Sequence, residues 1–140
     1  MVSNKNILIA QGGGPTNVIN QSLVGIIQQE KKCKSKIIGS INGVNGIINN
    51  RFISLNKVSE KDLKIIANTP GAALGSTRDK PDKKYCKEIL KILKIKKISK
   101  FYYIGGNDSS DSLRIISEYA KDIKYKLQRI HIPKTIDNDL

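Results

Sequence analysis

Two glycine-rich turns are the first places in this sequence where residue types and spacing indicate chemistry. The stretch "QGGGPTN" contains Gly12, Gly13 and Gly14, and "GGNDSSD" begins with Gly105 and Gly106. Glycine allows a positive φ and has no Cβ, so backbone N–H groups can approach a phosphate closely. Each turn leads into a segment of helical character, and the positive end of a helix favours an anion. Simple strand-to-helix geometry explains either turn equally well, and neither has the Walker A or the GxGxxG pattern.

A third turn, "PKTIDNDL", ends the sequence and concentrates charged side chains. Lys134 stands ahead of Asp137, Asn138 and Asp139, and the apolar run "RIHI" before them is typical of a buried strand. In open parallel sheets, ligands bind at the carboxyl ends of the strands. The three turns are therefore expected to form one site.

The segments that must position these turns alternate between strand and helix. This alternation predicts parallel βαβ units and hence an α/β layered fold with a mainly parallel sheet. Ser59 has the character of a helix N-cap. Strands are predicted within 6–10, 35–43, 51–55, 100–107 and 128–133, helices within 16–32, 59–68, 83–96 and 109–122, and a loop over 69–81.

Length and composition limit the class of protein. The 140 residues, 39% hydrophobic and 26% charged, are typical of one soluble domain with a sizeable core. Cys33 and Cys86 are too few for a disulfide framework or a zinc site. No apolar run is long enough for a membrane span or a secretory signal, so a cytoplasmic protein with no membrane partner is expected.

The formal net charge of +13 is the least ordinary property, and it raises the question of nucleic acid. Most lysines, however, lie on the polar side of amphipathic stretches such as "KKYCKEILKILKIKKISK". Only four arginines are present, and no nucleic-acid-binding motif is recognisable. Nucleic acid is therefore not the expected partner, although a positive surface attracts phosphorylated substrates.

Four segments together resemble the phosphofructokinase family: "QGGGPTNVIN", "GSTR", "IGGNDS" and "PKTIDND" occur in its order and rough spacing. The lysine of the last segment and the "ND" after the double glycine resemble the pyrophosphate-dependent branch. The resemblance implies a Rossmann-like fold and a glycolytic kinase that transfers a phosphoryl group from pyrophosphate, or ATP, to the C1 hydroxyl of fructose 6-phosphate. It also implies Mg²⁺ as cofactor and a homo-oligomeric enzyme.

The resemblance extends to individual residues. Asp137 is similar to the catalytic base that takes the proton of the C1 hydroxyl, Thr135 to a residue that holds the transferring group, and Asp139 to one that orients the site. Helix capping is an open alternative for Asp139. Donor phosphate contacts are implied for Gly12, Gly13, Gly14, Arg78, Gly106, Asp108 and Ser109.

The choice of donor is expected to depend on two positions. Asp108 stands where ATP-using members have glycine, and its carboxylate would repel the nucleotide. Lys134, also in the place of a common glycine, would neutralise pyrophosphate during catalysis. Asn107 departs from the family, which usually has a metal-associated aspartate there. The amide keeps an oxygen but loses the charge, so a direct contact of Asn107 with metal is left open.

The family's catalytic subunit is considerably longer than this chain. The resemblance therefore implies that residues 1–140 are an N-terminal donor-binding portion, inactive by itself because the acceptor site lies elsewhere. The open alternative is a non-catalytic phosphate- or nucleotide-binding module derived from the same fold.

Overall fold

The computed structural model describes residues 5–14 and 17–134 of the chain. Its helices and strands alternate nearly as the sequence predicts. In chain order they are β1 (Asn6–Gln11), α1 (Asn17–Lys32), β2 (Lys36–Ser40), α2 (Gly43–Ile48), β3 (Phe52–Ser54), α3 (Glu60–Ala67), α4 (Lys83–Ile95), β4 (Ile98–Gly105), α5 (Asn107–Asp122) and β5 (Gln128–Pro133).

The strands form one sheet in the order β3-β2-β1-β4-β5. The central strand β1 is parallel to both β2 and β4, and β4 is parallel to β5. Only the short β3 runs antiparallel to its neighbour β2 among the described strands. The prediction of an α/β fold with a mainly parallel sheet is confirmed.

Two hydrophobic cores lie on opposite faces of the sheet, because successive strand residues point to opposite sides. Leu8 and Ala10 of β1 belong to the core with α2, α4 and α5, whereas Ile7 and Ile9 belong to the core with α1 and α3. The five residues Ile7 to Gln11 are all buried, as expected for a strand covered by helices on both faces. The sheet is thus a rigid base for the turns at its carboxyl edge.

Helix α2 has no counterpart in the prediction, because "NGVNGII" contains turn-forming residues. It begins after Asn42, which has a left-handed φ of 63°, and it is stabilised by the fully buried side chains of Val44 and Ile47.

The other differences concern boundaries: β4 begins at Ile98, and α5 begins at Asn107 rather than Ser109. The predicted cap at Ser59 is confirmed, since its side chain accepts the N–H of Asp62 at 3.1 Å. Within the described residues, no helix has the length and apolar character needed to cross a bilayer.

Candidate functional site

The sheet brings the three glycine- and lysine-containing turns to one edge. Gln11 of β1 is in register with Ile104 of β4, and Gly105 is in register with Pro133 of β5. Backbone hydrogen bonds continue beyond the strand ends: the N–H of Gly12 donates to Ile104 O at 2.7 Å. In the same way Lys134 N–H donates to Gly105 O at 2.9 Å. The predicted convergence of these turns is confirmed for the described residues.

Lys134 reaches from the third turn into the first. Its side chain is buried, with 8% of the residue exposed, and its ammonium donates a hydrogen bond to the carbonyl of Gly14. Gly13 has a φ of +77°, and a Cβ there would lie 3.3 Å from Nζ of Lys134. The backbone conformation therefore favours glycine at position 13, and a side chain there would also press against the lysine ammonium.

The "GSTR" loop is bound directly to the first glycine turn. Gly13 donates its N–H to Thr77 O at 3.0 Å, and the hydroxyl of Ser76 donates to the carbonyl of Gly13. The next residue, Arg78, extends over the turn: a Cβ at Gly14 would lie 3.6 Å from its Nη2 and 4.0 Å from Nζ of Lys134. The guanidinium and the ammonium therefore face the same glycine.

Two buried amides, which the sequence analysis missed, hold this loop in place. Gln11 is fully buried, and its Oε1 accepts the N–H of Leu74 at 2.9 Å. Asn20, 2% exposed, donates to Thr69 O at 2.8 Å and accepts the N–H of Ala73 at 2.7 Å. The available signal was a polar residue on an otherwise apolar strand or helix face, since buried polar groups need hydrogen-bond partners.

Gly12 lies directly above two buried side chains, Tyr103 and Ser109. A Cβ at Gly12 would lie 2.5 Å from Cε1 of Tyr103 and 2.9 Å from Oγ of Ser109, so no larger residue fits. Burial raises the pKa of Tyr103 to about 12, and the phenol therefore stays protonated. Ser109, predicted to bind donor phosphate, has its Oγ beneath the turn, where a Cβ at Gly105 would lie only 2.1 Å away. Its hydroxyl therefore packs against Gly12 and Gly105.

The amino terminus of α5 forms the far side of the site. Gly106 is its N-cap and has no side chain, so within the described part of the chain no side chain caps the helix, and its first N–H groups can bind an anion. Asn107 and Asp108 are exposed in the first turn. The Asp108 carboxylate lies 3.6 Å from Nζ of Lys80, and both side chains are largely exposed, at 70% and 78%. Asp108 is thus partly neutralised by a lysine of the neighbouring loop.

The two cations of this site are not paired with a carboxylate among the described residues. Neither Arg78 nor Lys134 forms an ion pair with an acidic side chain in the described part of the chain. Among the same residues, no group of three His, Cys, Asp or Glu side chains could hold a metal ion. Two cations, a glycine turn and a helix amino terminus together form a site suited to a phosphate group.

The predicted catalytic residues Thr135, Asp137 and Asp139 lie outside the described residues, as does Thr16 at the predicted start of α1. Of the other predicted site residues, the structure brings Gly12, Gly13, Gly14, Arg78, Gly106, Asp108 and Lys134 to the carboxyl edge of the sheet. Asn107 is also at this edge, but its exposed side chain has no described partner that would fix it on a metal.

Comparisons with known proteins indicate the family of this chain. The family model described as "Phosphofructokinase" matches residues 6–140. The pyrophosphate–fructose 6-phosphate 1-phosphotransferase of Rhodospirillum rubrum is 53% identical over 136 residues, which cover 96% of this chain and 34% of the relative. The enzyme of that name from Xanthomonas campestris is 38% identical over 99% of this chain and 34% of its own length. The crystal structure of a pyrophosphate-dependent phosphofructokinase from Marinobacter aquaeolei has a TM-score of 0.91 and 34% identity, covering 97% of this chain and 35% of that one. The chain thus spans about a third of the length of these relatives.

Proposed function

This chain belongs to the phosphofructokinase family, and we propose that it contains the phosphoryl donor site of a 6-phosphofructokinase. The proposed reaction transfers a phosphoryl group from pyrophosphate to the C1 hydroxyl of fructose 6-phosphate. The observation that carries the proposal is the pair of cations, Arg78 and Lys134, which face Gly14 without an acidic partner among the described residues. Residues 1–140 are proposed to be the donor-binding portion of the enzyme.

In the proposed mechanism, the C1 oxygen of fructose 6-phosphate attacks one phosphorus of pyrophosphate, and the bond from that phosphorus to the bridging oxygen breaks. Asp137 accepts the proton of the C1 hydroxyl, and inorganic phosphate leaves. Thr135 and Asp139 hold and orient the reacting groups. Phosphoryl transfer depends mainly on positioning and on charge stabilisation, so an aspartate of ordinary basicity is sufficient as base.

Lys134 and Arg78 are proposed to bind the donor from two sides. The Lys134 ammonium is largely shielded from water, where its attraction for a phosphate oxygen is stronger than at the surface. Arg78 is exposed and can offer two parallel N–H groups to a second oxygen. The amino terminus of α5 would contact the same anion through backbone N–H groups. The phosphate that leaves carries negative charge, which Lys134, Arg78 and the amino terminus of α5 would stabilise.

Pyrophosphate is the preferred donor in this proposal, and ATP is the alternative. Lys134 places its charge within the glycine turn, close to where a small doubly charged phosphate group would bind. Asp108 places a carboxylate at the mouth of the site, although Lys80 at 3.6 Å offsets part of its repulsion. The preference should therefore depend more on Lys134 than on Asp108.

Mg²⁺ is the proposed cofactor. The described residues offer it one exposed amide oxygen, from Asn107, and one exposed carboxylate, from Asp108. This donor set is compatible with Mg²⁺, which usually keeps several waters and binds through one or two protein oxygens together with substrate phosphates. When bound, Mg²⁺ would neutralise charge on the phosphate oxygens. A cytoplasmic, homo-oligomeric enzyme is part of the proposal.

The first experiment measures binding of magnesium pyrophosphate to the 140-residue chain by isothermal titration calorimetry. We expect binding that weakens strongly in Arg78→Met. The matched control is Arg129→Met, which removes another exposed arginine from β5. Equal affinities of the two variants, or no binding by the unmodified chain, would contradict the proposed donor site.

The second experiment tests catalysis. A chimera would carry this chain in place of the matching 136 residues of the Rhodospirillum rubrum relative, to which it is 53% identical. We expect pyrophosphate-dependent formation of fructose 1,6-bisphosphate that is lost in Asp137→Ser. A folded chimera that binds pyrophosphate but forms no product would instead favour a non-catalytic phosphate-binding module.

A further inference from the structure

Asp79 directly follows Arg78, yet its carboxylate is held by other groups. Its Oδ2 accepts a hydrogen bond from the hydroxyl of Tyr85 at 2.9 Å and another from Nδ2 of Asn45 at 3.2 Å. Its backbone N–H donates to Oγ1 of Thr77 at 3.2 Å. An aspartate beside an exposed arginine is a natural ion-pair partner for it, but no ion pair joins Asp79 to Arg78.

The side chain of Asn45 is itself fixed in the orientation that this arrangement requires. Its Oδ1 accepts hydrogen bonds from the guanidinium of Arg51 and from Nδ2 of Asn49, the latter at 3.2 Å. Arginine has only donors, so Oδ1 must face Arg51, and the amide nitrogen is then directed to Asp79.

The protonation states agree with this geometry. The hydrogen bond from Tyr85 is the largest of the effects that hold the pKa of Asp79 below its usual range, so the carboxylate is charged at neutral pH. Burial, followed by the neighbouring Asp79, raises the pKa of Tyr85. The phenol therefore remains protonated and acts as the donor. A fully charged carboxylate thus lies one residue from the arginine without binding it.

We propose that Tyr85 and Asn45 are positioning residues that hold the Asp79 carboxylate away from Arg78, so that the guanidinium is available to the phosphoryl donor. This inference rests on the proposed function of the site. Without the two donors, Asp79 would compete with pyrophosphate for Arg78 from within the same loop, at a high effective concentration. Asn45 of α2 and Tyr85 of α4 would thus affect the affinity for the phosphoryl donor without contacting the donor themselves.

The test is a double-mutant comparison in the 140-residue chain, with magnesium pyrophosphate as the titrant in calorimetry. We expect Tyr85→Phe to raise the dissociation constant about two- to fivefold, the range of an exposed competing ion pair. Asp79→Asn should bind at least as tightly as the unmodified chain. The combination of both changes should restore the affinity lost in Tyr85→Phe, because the competing charge is then absent.

Two further variants complete the design. Tyr125→Phe removes another partly buried hydroxyl, one that donates to the carbonyls of Leu93 and Ile98, and should leave binding unchanged. Asn45→Ala removes the second donor to Asp79 and should also be rescued by Asp79→Asn. If Tyr85→Phe folds poorly, the comparison of Asn45→Ala with and without Asp79→Asn tests the inference instead. The losses should shrink in high salt, which screens an exposed ion pair.

The outcomes separate this inference from the function on which it rests. If Tyr85 only supports the fold, the double variant will bind as weakly as Tyr85→Phe, and the inference is wrong. It is equally wrong if Tyr85→Phe binds normally while Arg78→Met does not. If Arg78→Met also binds normally, the proposed donor site itself is wrong, and the inference falls with it.

Discussion

Lys134 provides the most informative single perturbation of the proposed donor site. Lys134 is a buried residue, 8% exposed, and its ammonium donates a hydrogen bond to the Gly14 carbonyl. Lys134→Met removes this ammonium. A hydrogen bond to a charged group contributes about 1.5–3 kcal/mol. Since 1.4 kcal/mol corresponds to about a tenfold change, the dissociation constant for pyrophosphate should rise about 10- to 150-fold.

The stability of the fold should change little in this variant. Methionine is unbranched and fills much of the volume that the lysine stem occupies. The ammonium has no acidic partner among the described residues, so its removal takes away a poorly solvated charge rather than an ion pair. We expect the free energy of unfolding to remain within about 1 kcal/mol of the unmodified value, the usual range for volume-conserving changes.

The assay combines calorimetric titration with magnesium pyrophosphate and urea unfolding of the same samples. Lys61→Met serves as control, because Lys61 is an exposed lysine of α3, an element that contributes no residue to the proposed site. It tests whether loss of one unit from the overall charge of +13 is sufficient to weaken binding. Equal affinities of Lys134→Met and the unmodified chain would refute the assignment of Lys134. If both variants lose the same affinity for pyrophosphate, the loss is explained by net charge and not by the position of Lys134.

Three other predictions concern the turn, the core and the donor. Gly12→Ala should destabilise the fold by about 1–3 kcal/mol in urea unfolding, the typical cost of overpacking, because its Cβ would lie 2.5 Å from the Tyr103 ring; an unchanged midpoint would contradict this. Lys100→Met should cost about 3–5 kcal/mol, because it leaves the 1% exposed Glu30 without the cation that lies 2.7 Å from it. Burial alone raises the pKa of Glu30, but hydrogen bonds lower it overall, with that from Lys100 the largest. The stabilisation by charged Glu30 should therefore be present at neutral pH and lost as the pH falls below about 4.5. A stability difference between Lys100→Met and the unmodified chain that does not change with pH would contradict this. Asp108→Gly should improve binding of magnesium ATP by less than tenfold, because exposed charge pairs contribute only about 0–1 kcal/mol, and weaker ATP binding would exclude the proposed repulsion.

The sequence by itself was sufficient for the class of fold and for most of its elements. Apolar runs such as "NILIA" and "KFYYIG" correspond to β1 and β4, whose central residues are apolar because helices cover both faces of the sheet. The strong periodicity of residues 83–96 corresponds to α4. Strand direction also placed Lys134 and the glycine turns at one edge, because it decides where the turns of a parallel sheet meet. Arg78 was assigned to the same site only by the family resemblance.

Local sequence was not sufficient for α2 or for the direction of β3. The "NGVNGII" segment has the residues of a turn, and its helix exists because Val44 and Ile47 are buried against the sheet and α4. The three-residue β3 contains no signal for its direction, which is set by pairing with β2. Both depend on contacts between distant segments, which override weak local propensities.

Within the site, the sequence determined which residue types are present, and the tertiary structure decided what they face. Nothing local distinguishes Ser109 beneath the turn from Ser110 in solvent, or shows that Asp79 binds Tyr85 rather than the adjacent Arg78. The loop that carries Arg78 is positioned by Gln11 and Asn20, which lie more than fifty residues away along the chain from the backbone groups they bind in Leu74 and Ala73. A hydrogen bond between such segments depends on packing, because only the folded sheet brings the two partners within reach and excludes the water that would otherwise satisfy them.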